Sequence, residues 1–493
     1  MDELRRLFAS PLKLAAFWWL LPICGILFAA TINPIPPHDY WWALVMGREI
    51  SAGHFPDANL FLFTLPADKP FLNQPWLGQW LLFELSQWGH GANVLARNLS
   101  LGLSLGLMMW SGLRVNPRVE SVSILAIGVM VVAFPGLAVR TQSFALLPFV
   151  WTLVLVLGVR DGRFERKWLW TLVPVIWFWA QVHGTFVLAP VMLGVIWMDA
   201  QERWAKEWVV VGAASALIGL LHPLGLEIFT YVKGLVFDST VGTTVQEWSP
   251  PGLDDAQGIG FWLLCFAGLA VATAQRKRLA ISDAVLLLLA TWLGTGAVRN
   301  LVWWAFIWVV VLAKTLPRSI QESETKPFEH KLHWSLVSAC VLGLIVAQPG
   351  LFHTHFVQAT SIEFAKKQGE GAMVLEKRNS IELVRALKGE SAQRVFHDQA
   401  LGGLIEFELS TRDVQAVAFV DQRMELIDED IWDDYFLASA GQVGWKEVFE
   451  RWKIDAAVLH IEDQAPLIEA LRASGWRLMG ESEVHQLYLP PIR

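Results

Sequence analysis

An acidic residue, Asp39, directly follows the first long apolar segment of the chain, in the run Pro-Pro-His-Asp-Tyr-Trp-Trp at 36–42. Holding a carboxylate beside a hydrophobic bundle costs free energy, so an acid at this place is a functional candidate. The two prolines fix how the chain leaves the apolar segment, and Trp is typical of the membrane–water interface. This pattern predicts chemistry at a membrane surface. The alternative is that Asp39 caps a helix beginning at Tyr40, because Asp is a favoured N-cap residue.

Other residues with chemically useful side chains stand at comparable places, next to the ends of apolar segments. They are Arg140, Gln142, His183, His222, Glu247 and Arg299. With Asp39 included, the set contains two acids, two arginines and histidine. This combination suits an anionic substrate, since guanidinium groups match phosphate with two hydrogen bonds. Each also has a structural alternative. Glu247 is then a solvated loop acid, the arginines extend towards lipid headgroups, and His183 and His222 satisfy helix ends.

The composition predicts a membrane protein. Of 493 residues, 54% are hydrophobic and 17% are charged, whereas soluble proteins carry about 25% charge. The apolar residues form segments of roughly the length that crosses about 30 Å of hydrocarbon, and the 27 Trp residues suit interfacial belts. The net charge of −7, concentrated as acid in the last third, excludes a nucleic-acid binder. The three cysteines all lie in apolar segments, where we expect them to pack in the core.

The charge of the connecting segments predicts the topology. We expect about eleven transmembrane helices, at 14–32, 92–112, 121–138, 142–158, 168–182, 185–198, 207–221, 258–274, 282–297, 300–313 and 332–348. With a cytoplasmic N-terminus, the inner segments hold 18 Lys and Arg residues and the outer segments hold 5. The positive-inside rule selects this orientation. We expect the first helix to be retained, because the apolar run exceeds a signal-peptide core.

This topology places the candidate residues on the outer side, while the inner segments look like ordinary charged connectors. Two outer loops are long, 33–91 and 222–257. In the first, we predict a helix at 40–51 and an amphipathic helix at 76–85 that lies along the interface. We therefore predict a transmembrane domain over 1–350, which includes both loops.

The C-terminal segment 351–493 predicts a soluble extracytoplasmic α/β domain. Buried parallel strands are predicted at 394–398, 416–421 and 456–460. Helices are predicted near 361–388, 402–410, 428–452 and 463–474. Asp398 and Asp421 close two of these strands, at the edge where parallel sheets bind ligands. The alternative is that both aspartates cap local structure.

Several short motifs resemble the GT-C superfamily of integral-membrane glycosyltransferases, in particular its protein O-mannosyltransferase and aminoarabinose-transferase branch. These motifs are Asp39 with Tyr-Trp-Trp, Gly-Arg-Glu-Ile at 47–50 with Phe-Pro at 55–56, Asn-Gln-Pro-Trp-Leu at 73–77, Arg-Thr-Gln at 140–142, His-Gly at 183–184, Glu-Trp-Ser-Pro at 247–250 and Arg-Asn at 299–300. The resemblance covers about 14–348.

The resemblance implies a donor sugar on a polyprenyl phosphate and a first-loop acid that acts as catalytic base or binds a divalent cation, Mg or Mn. That role falls on Asp39, with Glu247 as a second catalytic acid. The Asp-x-Asp or Asp-Glu pair of many members is absent here, because Tyr40 and Trp41 follow Asp39. This departure puts metal dependence in question. The expected substrate-binding residues are Arg299, Arg140, His183, Gln142, Arg48 and Trp248.

The predicted function is a multi-pass glycosyltransferase at the outer face of the bacterial cytoplasmic membrane. It moves a sugar from a polyprenyl-phosphate donor to a lipid, glycan or protein acceptor. The alternative is a non-catalytic lipid-glycan translocator or assembly scaffold. A transporter is expected to place charges near the bilayer midplane. The predicted placement of charges at one surface favours the enzyme.

Overall fold

The computed structural model describes residues 14–237, 248–317, 327–347, 374–390, 392–410 and 416–491. The chain packs as two compact units. The first unit comprises 1–33, 94–138 and 142–361, and the second comprises 34–93, 139–141 and 362–493. The predicted division assigned the first outer loop to the transmembrane domain. Here that loop belongs to the same unit as the C-terminal segment.

A helix coincides with each of the eleven predicted spans. These helices are Leu14–Ile32, His90–Val115, Val119–Val132, Leu146–Arg160, Leu172–Val182, Leu188–Trp197, Lys206–Leu217, Ala256–Ala274, Ile281–Gly296, Leu301–Leu312 and Pro327–Ala347. A further helix, Glu227–Phe237, lies in the predicted second outer loop. Within the described residues, Thr141–Arg160 and Ala256–Ala274 are long and apolar enough to cross a membrane. The count of eleven spans therefore stays a prediction.

The core of the first unit is built around the Leu301–Leu312 helix, in which every residue is buried. Its sequence is apolar on all sides, which is typical of a helix surrounded by other helices. Trp303 contacts Phe149 with ring centroids 4.9 Å apart. Trp304 contacts Phe261 with ring centroids 5.1 Å apart. Aromatic packing thus joins this helix to two neighbours in the chain's first unit.

A buried ion-pair network joins helix ends in segments predicted to face inward. Arg160 Nη1 lies 2.9 Å from Asp283 Oδ1, and Lys314 Nζ lies 2.8 Å from Asp283 Oδ2. Asp161 Oδ1 lies 2.8 Å from Arg160 Nη2. The expectation that these segments are ordinary connectors is therefore incomplete. Three cations pair with two carboxylates here, since Arg163 Nη2 also lies 3.1 Å from Asp161 Oδ2.

The sheet of the second unit has four strands in the order β1-β2-β4-β3. They are β1 Val395–His397, β2 Ala456–His460, β3 Arg477–Glu481 and β4 His485–Leu489. The β1 and β2 strands are parallel, as predicted. The β4 strand runs antiparallel to both β2 and β3, so the sheet is mixed. The β3–β4 hairpin was not expected from the sequence.

The third predicted strand, 416–421, contributes only isolated parallel bridges. Ala418 pairs with Val395 of β1 on one side and with Leu62 of the first loop on the other. The Phe61 carbonyl accepts hydrogen bonds from the Val417 and Ala418 amides at 2.9 and 3.1 Å. The first loop therefore extends the sheet beyond β1.

The second unit also contains seven α-helices within the described residues. They are His38–Ser51, Trp76–Ser86, Ile381–Ala386, Gly402–Leu409, Glu429–Ser439, Trp445–Trp452 and Ala465–Ala473. The helices predicted at 402–410 and 463–474 are confirmed. The helix predicted at 428–452 is two helices, because Gly441 and Gly444 adopt positive φ between them. Residues 361–373 of the helix predicted at 361–388 lie outside the described residues.

The His38–Ser51 helix packs against the Gly402–Leu409 helix. Gly403 permits this approach, since a Cβ there would collide with the Trp42 backbone nitrogen. Arg48 Nη1 donates a 2.8 Å hydrogen bond to the Phe407 carbonyl, and Arg48 Nη2 donates one of 2.6 Å to Ser410 Oγ. These contacts fix the first loop to the C-terminal segment within the second unit.

Candidate functional site

Asp39 lies in the first turn of the His38–Ser51 helix and pairs with an arginine. Arg140 Nη1 is 3.5 Å from Asp39 Oδ2. The Arg140 side chain is 9% exposed and the Asp39 side chain is 43% exposed, so a buried guanidinium holds an accessible carboxylate. The capping alternative is wrong, because the helix begins at His38 and its start has no side-chain capping bond. Asp39 is therefore free of a helix-capping role and open to a substrate.

The residues that follow Asp39 anchor the start of its helix. Tyr40 Oη lies 2.8 Å from His90 Nδ1 and accepts a 3.0 Å hydrogen bond from Asn93 Nδ2. Trp41 Nε1 donates a hydrogen bond to Asn379 Oδ1. Burial raises the pKa of the Tyr40 phenol, which keeps this hydroxyl protonated. The sequence contained no signal for His90, Asn93 or Asn379, because these contacts form between distant positions.

Arg299 and Trp248, two predicted substrate-binding residues, are brought together in the first unit. Arg299 lies in the short 3₁₀ helix Val298–Asn300. Its guanidinium carbon is 4.3 Å from the centroid of the Trp248 ring. The Ser249 carbonyl accepts a 3.0 Å hydrogen bond from the Val298 amide, which aligns the two segments. Such stacking fixes the plane of the guanidinium.

Glu247, the predicted second catalytic acid, lies outside the described residues. Its role stays a prediction.

His183 and Gln142 have structural surroundings in the first unit. His183 follows the Leu172–Val182 helix, and its Nδ1 accepts a 3.2 Å hydrogen bond from the Thr185 amide. This contact agrees with the helix-end alternative for His183. Gln142 is 2% exposed in the short 3₁₀ helix Thr141–Phe144. Their roles in substrate binding stay predictions.

Arg48 also has structural contacts, through its two bonds to the C-terminal segment. Its predicted contact with substrate therefore needs a separate test.

The surroundings of Asp39 do not fit a divalent cation. In the part of the chain that the structure describes, no group of three or more His, Cys, Asp or Glu side chains could hold a metal ion. The neighbour of Asp39 is a cation, Arg140, which repels a second positive charge. Metal binding by Asp39 therefore stays a prediction.

A further buried arginine, Arg97, was missed in the sequence. It is 2% exposed, and it donates hydrogen bonds to the Leu137 and Ala30 carbonyls at 2.7 and 2.6 Å. Its Nε donates to Asn98 Oδ1 at 2.9 Å. These bonds join the ends of three segments of the first unit. The signal was present, since an arginine beside an asparagine in an apolar helix is a functional candidate.

The fold is that of the GT-C glycosyltransferases. Comparison with models of known protein families found no match, and comparison with curated proteins found none either. Three solved structures are similar to the chain over almost its whole length. At 11–13% identity, these likenesses show the shared fold alone.

The first is ArnT from Cupriavidus metallidurans bound to undecaprenyl phosphate, with a TM-score of 0.52 and 11% identity over 95% of this chain and 97% of ArnT. The second is the archaeal oligosaccharyltransferase AglB from Archaeoglobus fulgidus in complex with an inhibitory peptide and a dolichol-phosphate. Its TM-score is 0.54, with 12% identity over 94% of this chain and 74% of AglB. The third is the arabinofuranosyltransferase AftD from Mycobacteria, with a TM-score of 0.53 and 13% identity over 96% of this chain but only 40% of AftD.

Proposed function

We propose that the protein is a membrane glycosyltransferase that moves a sugar from a polyprenyl-phosphate donor to a hydroxyl of a lipid, glycan or protein acceptor. We place the reaction at the outer face of the cytoplasmic membrane of a bacterium, with the N-terminus inside. The observation that carries the proposal is the Asp39–Arg140 pair in a chain with the GT-C fold. The ArnT structure that matches along nearly its full length holds undecaprenyl phosphate, which supports this class of donor.

In the proposed reaction, Asp39 is the general base. Its carboxylate accepts the proton of the acceptor hydroxyl as the hydroxyl oxygen bonds to the anomeric carbon of the sugar. The bond between that carbon and the phosphate oxygen breaks, and polyprenyl phosphate leaves with the electron pair. Attack opposite the leaving group inverts the anomeric configuration. Arg140 orients the Asp39 carboxylate so that one oxygen faces the acceptor.

The departing phosphate gains charge, so a cation that binds it stabilises the transition state. We assign this role to Arg299, whose guanidinium is held against Trp248. A planar, delocalised guanidinium binds two phosphate oxygens at once. We assign His183, Gln142 and Arg48 to substrate binding on the weaker ground of their predicted position.

The proposal is tested by mass spectrometry of glycolipids and surface glycans from a deletion strain of the source organism. The strain is complemented with wild type, with Asp39→Asn, or with Asp68→Asn. Asp68 is an exposed acid of the same loop and serves as the matched control. We expect one glycoconjugate to lose a sugar in the deletion strain, and wild type and Asp68→Asn to restore it.

Asp39→Asn is expected to leave the sugar missing although the variant accumulates in the membrane at the wild-type level. A deletion strain with unchanged glycoconjugates would contradict a transferase. Full restoration by Asp39→Asn would favour the translocator or scaffold, which does not need a base.

A further inference from the structure

A second group of chemically active side chains lies in the C-terminal part of the second unit. His485 stands between a serine and a carboxylate. Its Nδ1 is 2.8 Å from Ser380 Oγ, and its Nε2 is 3.0 Å from Asp398 Oδ2. His485 is fully buried, so the base is shielded from water, and Ser380 is half-buried.

The sheet explains why these residues meet. Asp398 follows the last residue of β1, and His485 begins β4 opposite His460, the last residue of β2. Asp398, His485 and His460 therefore lie at the carboxyl edge of the parallel strand pair. That edge is where sheets of this kind bind ligands.

Hydrogen-bond accounting fixes the direction of proton transfer. An ionised carboxylate only accepts hydrogen bonds, so Nε2 of His485 carries the hydrogen and Nδ1 is left as an acceptor. Burial is the largest single effect and raises the pKa of Asp398, but the hydrogen bonds from His485 and the Ala400 amide and the charge interactions with His485 and His460 together lower it. Asp398 therefore keeps His485 in the tautomer that can accept the Ser380 proton.

The nearby Ser482 does not compete for that proton. Its Oγ lies 2.8 Å from Ser380 Oγ and accepts hydrogen bonds from the Val484 and His485 amides at 3.3 and 2.9 Å. Because these amides use the lone pairs of Ser482, Ser482 acts as the donor towards Ser380 Oγ and towards the His485 carbonyl, which is 3.2 Å away. The hydrogen of Ser380 is directed to His485 Nδ1.

Ordinary helix capping does not account for Ser380. It precedes the Ile381–Ala386 helix but makes no side-chain capping bond. Its φ is +44°, a left-handed conformation that is unfavourable for a serine and is often retained at functional sites. The backbone holds the hydroxyl towards the histidine and away from the helix.

We propose that Ser380, His485 and Asp398 form a hydrolytic site for carboxylic esters. Ser380 Oγ attacks the ester carbonyl carbon while its proton moves to His485 Nδ1, and the alcohol leaves with that proton. Water then attacks the acyl-serine through the same base, which releases the carboxylic acid and restores the serine. This activity goes beyond the glycosyl transfer proposed above and does not depend on it.

The experiment treats the purified full-length protein with a biotinylated fluorophosphonate, which phosphonylates an activated serine and releases fluoride. We expect labelling at Ser380, located by mass spectrometry, together with hydrolysis of p-nitrophenyl butyrate. Ser380→Gly is the main variant, because glycine relieves the positive φ and the protein should fold at least as well. The Ser380→Gly variant should lose labelling at the peptide that contains position 380, and it should lose its esterase activity.

Asp398→Asn should slow the labelling by at least about 100-fold, because the histidine tautomer is no longer fixed. Ser474→Ala, a serine of the same unit that contacts none of the three residues in the described structure, should label at the wild-type rate. The proposal is overturned if wild-type protein with a cooperative melting transition is not labelled at Ser380. Equal ester hydrolysis by wild type and Ser380→Gly would also overturn it.

Discussion

The carboxylate of Asp39 has a partner 101 positions away in the chain. The sequence identified both residues from their places at the ends of apolar segments, and the structure brings them together. The sequence did not predict the residues that hold the start of the His38–Ser51 helix. Tyr40, His90 and Asn93 are ordinary residue types, and their contacts depend on tertiary packing. Side-chain chemistry was therefore easier to predict than the residues that orient it.

The Arg299–Trp248 pair makes a prediction about donor binding. Arg299→Lys keeps the charge but loses the planar fork that binds two phosphate oxygens. We expect the Kd for undecaprenyl phosphate to rise about tenfold, as for the loss of one charge-assisted hydrogen bond. Titration of the purified protein with the lipid measures this change. Arg278→Lys, an exposed arginine elsewhere in the first unit, is the control and should bind as wild type does.

A buried charge cluster in the second unit makes a prediction about pH. Glu406, Asp421 and Arg423 are each at most 1% exposed. Arg423 Nε donates a 2.7 Å hydrogen bond to Asp421 Oδ2, whereas its Nη2 lies 3.8 Å from Glu406 Oε1. Burial, reinforced by the Asp421 charge, raises the pKa of Glu406 well above its usual 4.5. Arg423 thus pairs with Asp421 and not with Glu406, and the raised pKa favours the protonated form of Glu406.

The folded state binds the Glu406 proton more tightly than the unfolded state does. The protonated carboxyl therefore stabilises the fold fully at pH values below the unfolded-state pKa, and this stabilisation is lost as pH rises towards the raised pKa of the folded state. Glu406→Gln removes that dependence. We expect the Tm of the variant, relative to wild type, to increase as pH rises from about pH 5. Thermal melting across this range measures it, with the exposed Glu462→Gln as control. A Tm difference that is constant with pH would contradict the account.

Helices and strands with a strong local pattern were predicted well. The buried β1 and β2 strands and the helices at 402–410 and 463–474 are confirmed. The β3–β4 hairpin was missed because β3 is mostly exposed and lacks an apolar run. The 416–421 segment was predicted as a buried parallel strand, but it forms only isolated bridges, and one of its partners is Leu62, more than 350 positions away. Pairing at that distance has no local signal.

The contact between the His38–Ser51 and Gly402–Leu409 helices depends on Gly403. In Gly403→Ala the new methyl group would collide with the Trp42 backbone, and one helix would have to move. We expect a loss of about 1–3 kcal/mol in the free energy of unfolding. Transfer activity should fall as well, since Trp42 is on the helix that carries Asp39.

The matched control is Gly389→Ala in the same unit, where a Cβ would meet nothing within 4 Å. It should leave stability and transfer unchanged or stabilise the protein slightly. Chemical denaturation of both variants compares them directly. If Gly403→Ala were as stable and active as Gly389→Ala, the helix contact would not position the site.

At the level of the whole molecule, the composition predicted the helical class, and the solved GT-C structures confirm the fold. The sequence did not predict that the first loop and the C-terminal segment form one unit. Their contacts include side-chain hydrogen bonds, the ring contact of Trp41 with Phe407 and a close approach at a glycine, all between positions more than 300 residues apart. Contacts at that separation leave no local periodicity to detect.

The predicted orientation is tested by single cysteines in a variant that lacks the three native ones. Asp57→Cys lies in the first predicted outer loop, and Lys277→Cys lies in a predicted inner segment; both positions are exposed. In intact spheroplasts, a membrane-impermeant maleimide should label the first and not the second, while both are labelled after lysis. The reverse pattern would contradict the inferred topology.

The most direct test is whether the Asp39 carboxylate takes the proton of the acceptor hydroxyl as the sugar is transferred. The turnover of purified wild-type and Asp39→Asn protein is compared in solubilised membranes of the deletion strain, which supply both the lipid-linked sugar and the acceptor, by mass spectrometry of the released polyprenyl phosphate. We expect Asp39→Asn to lower turnover by about 10²–10⁴-fold, the contribution of a general base, while undecaprenyl phosphate binds with wild-type affinity. Equal turnover by the two proteins, or no release by wild type, would contradict the account.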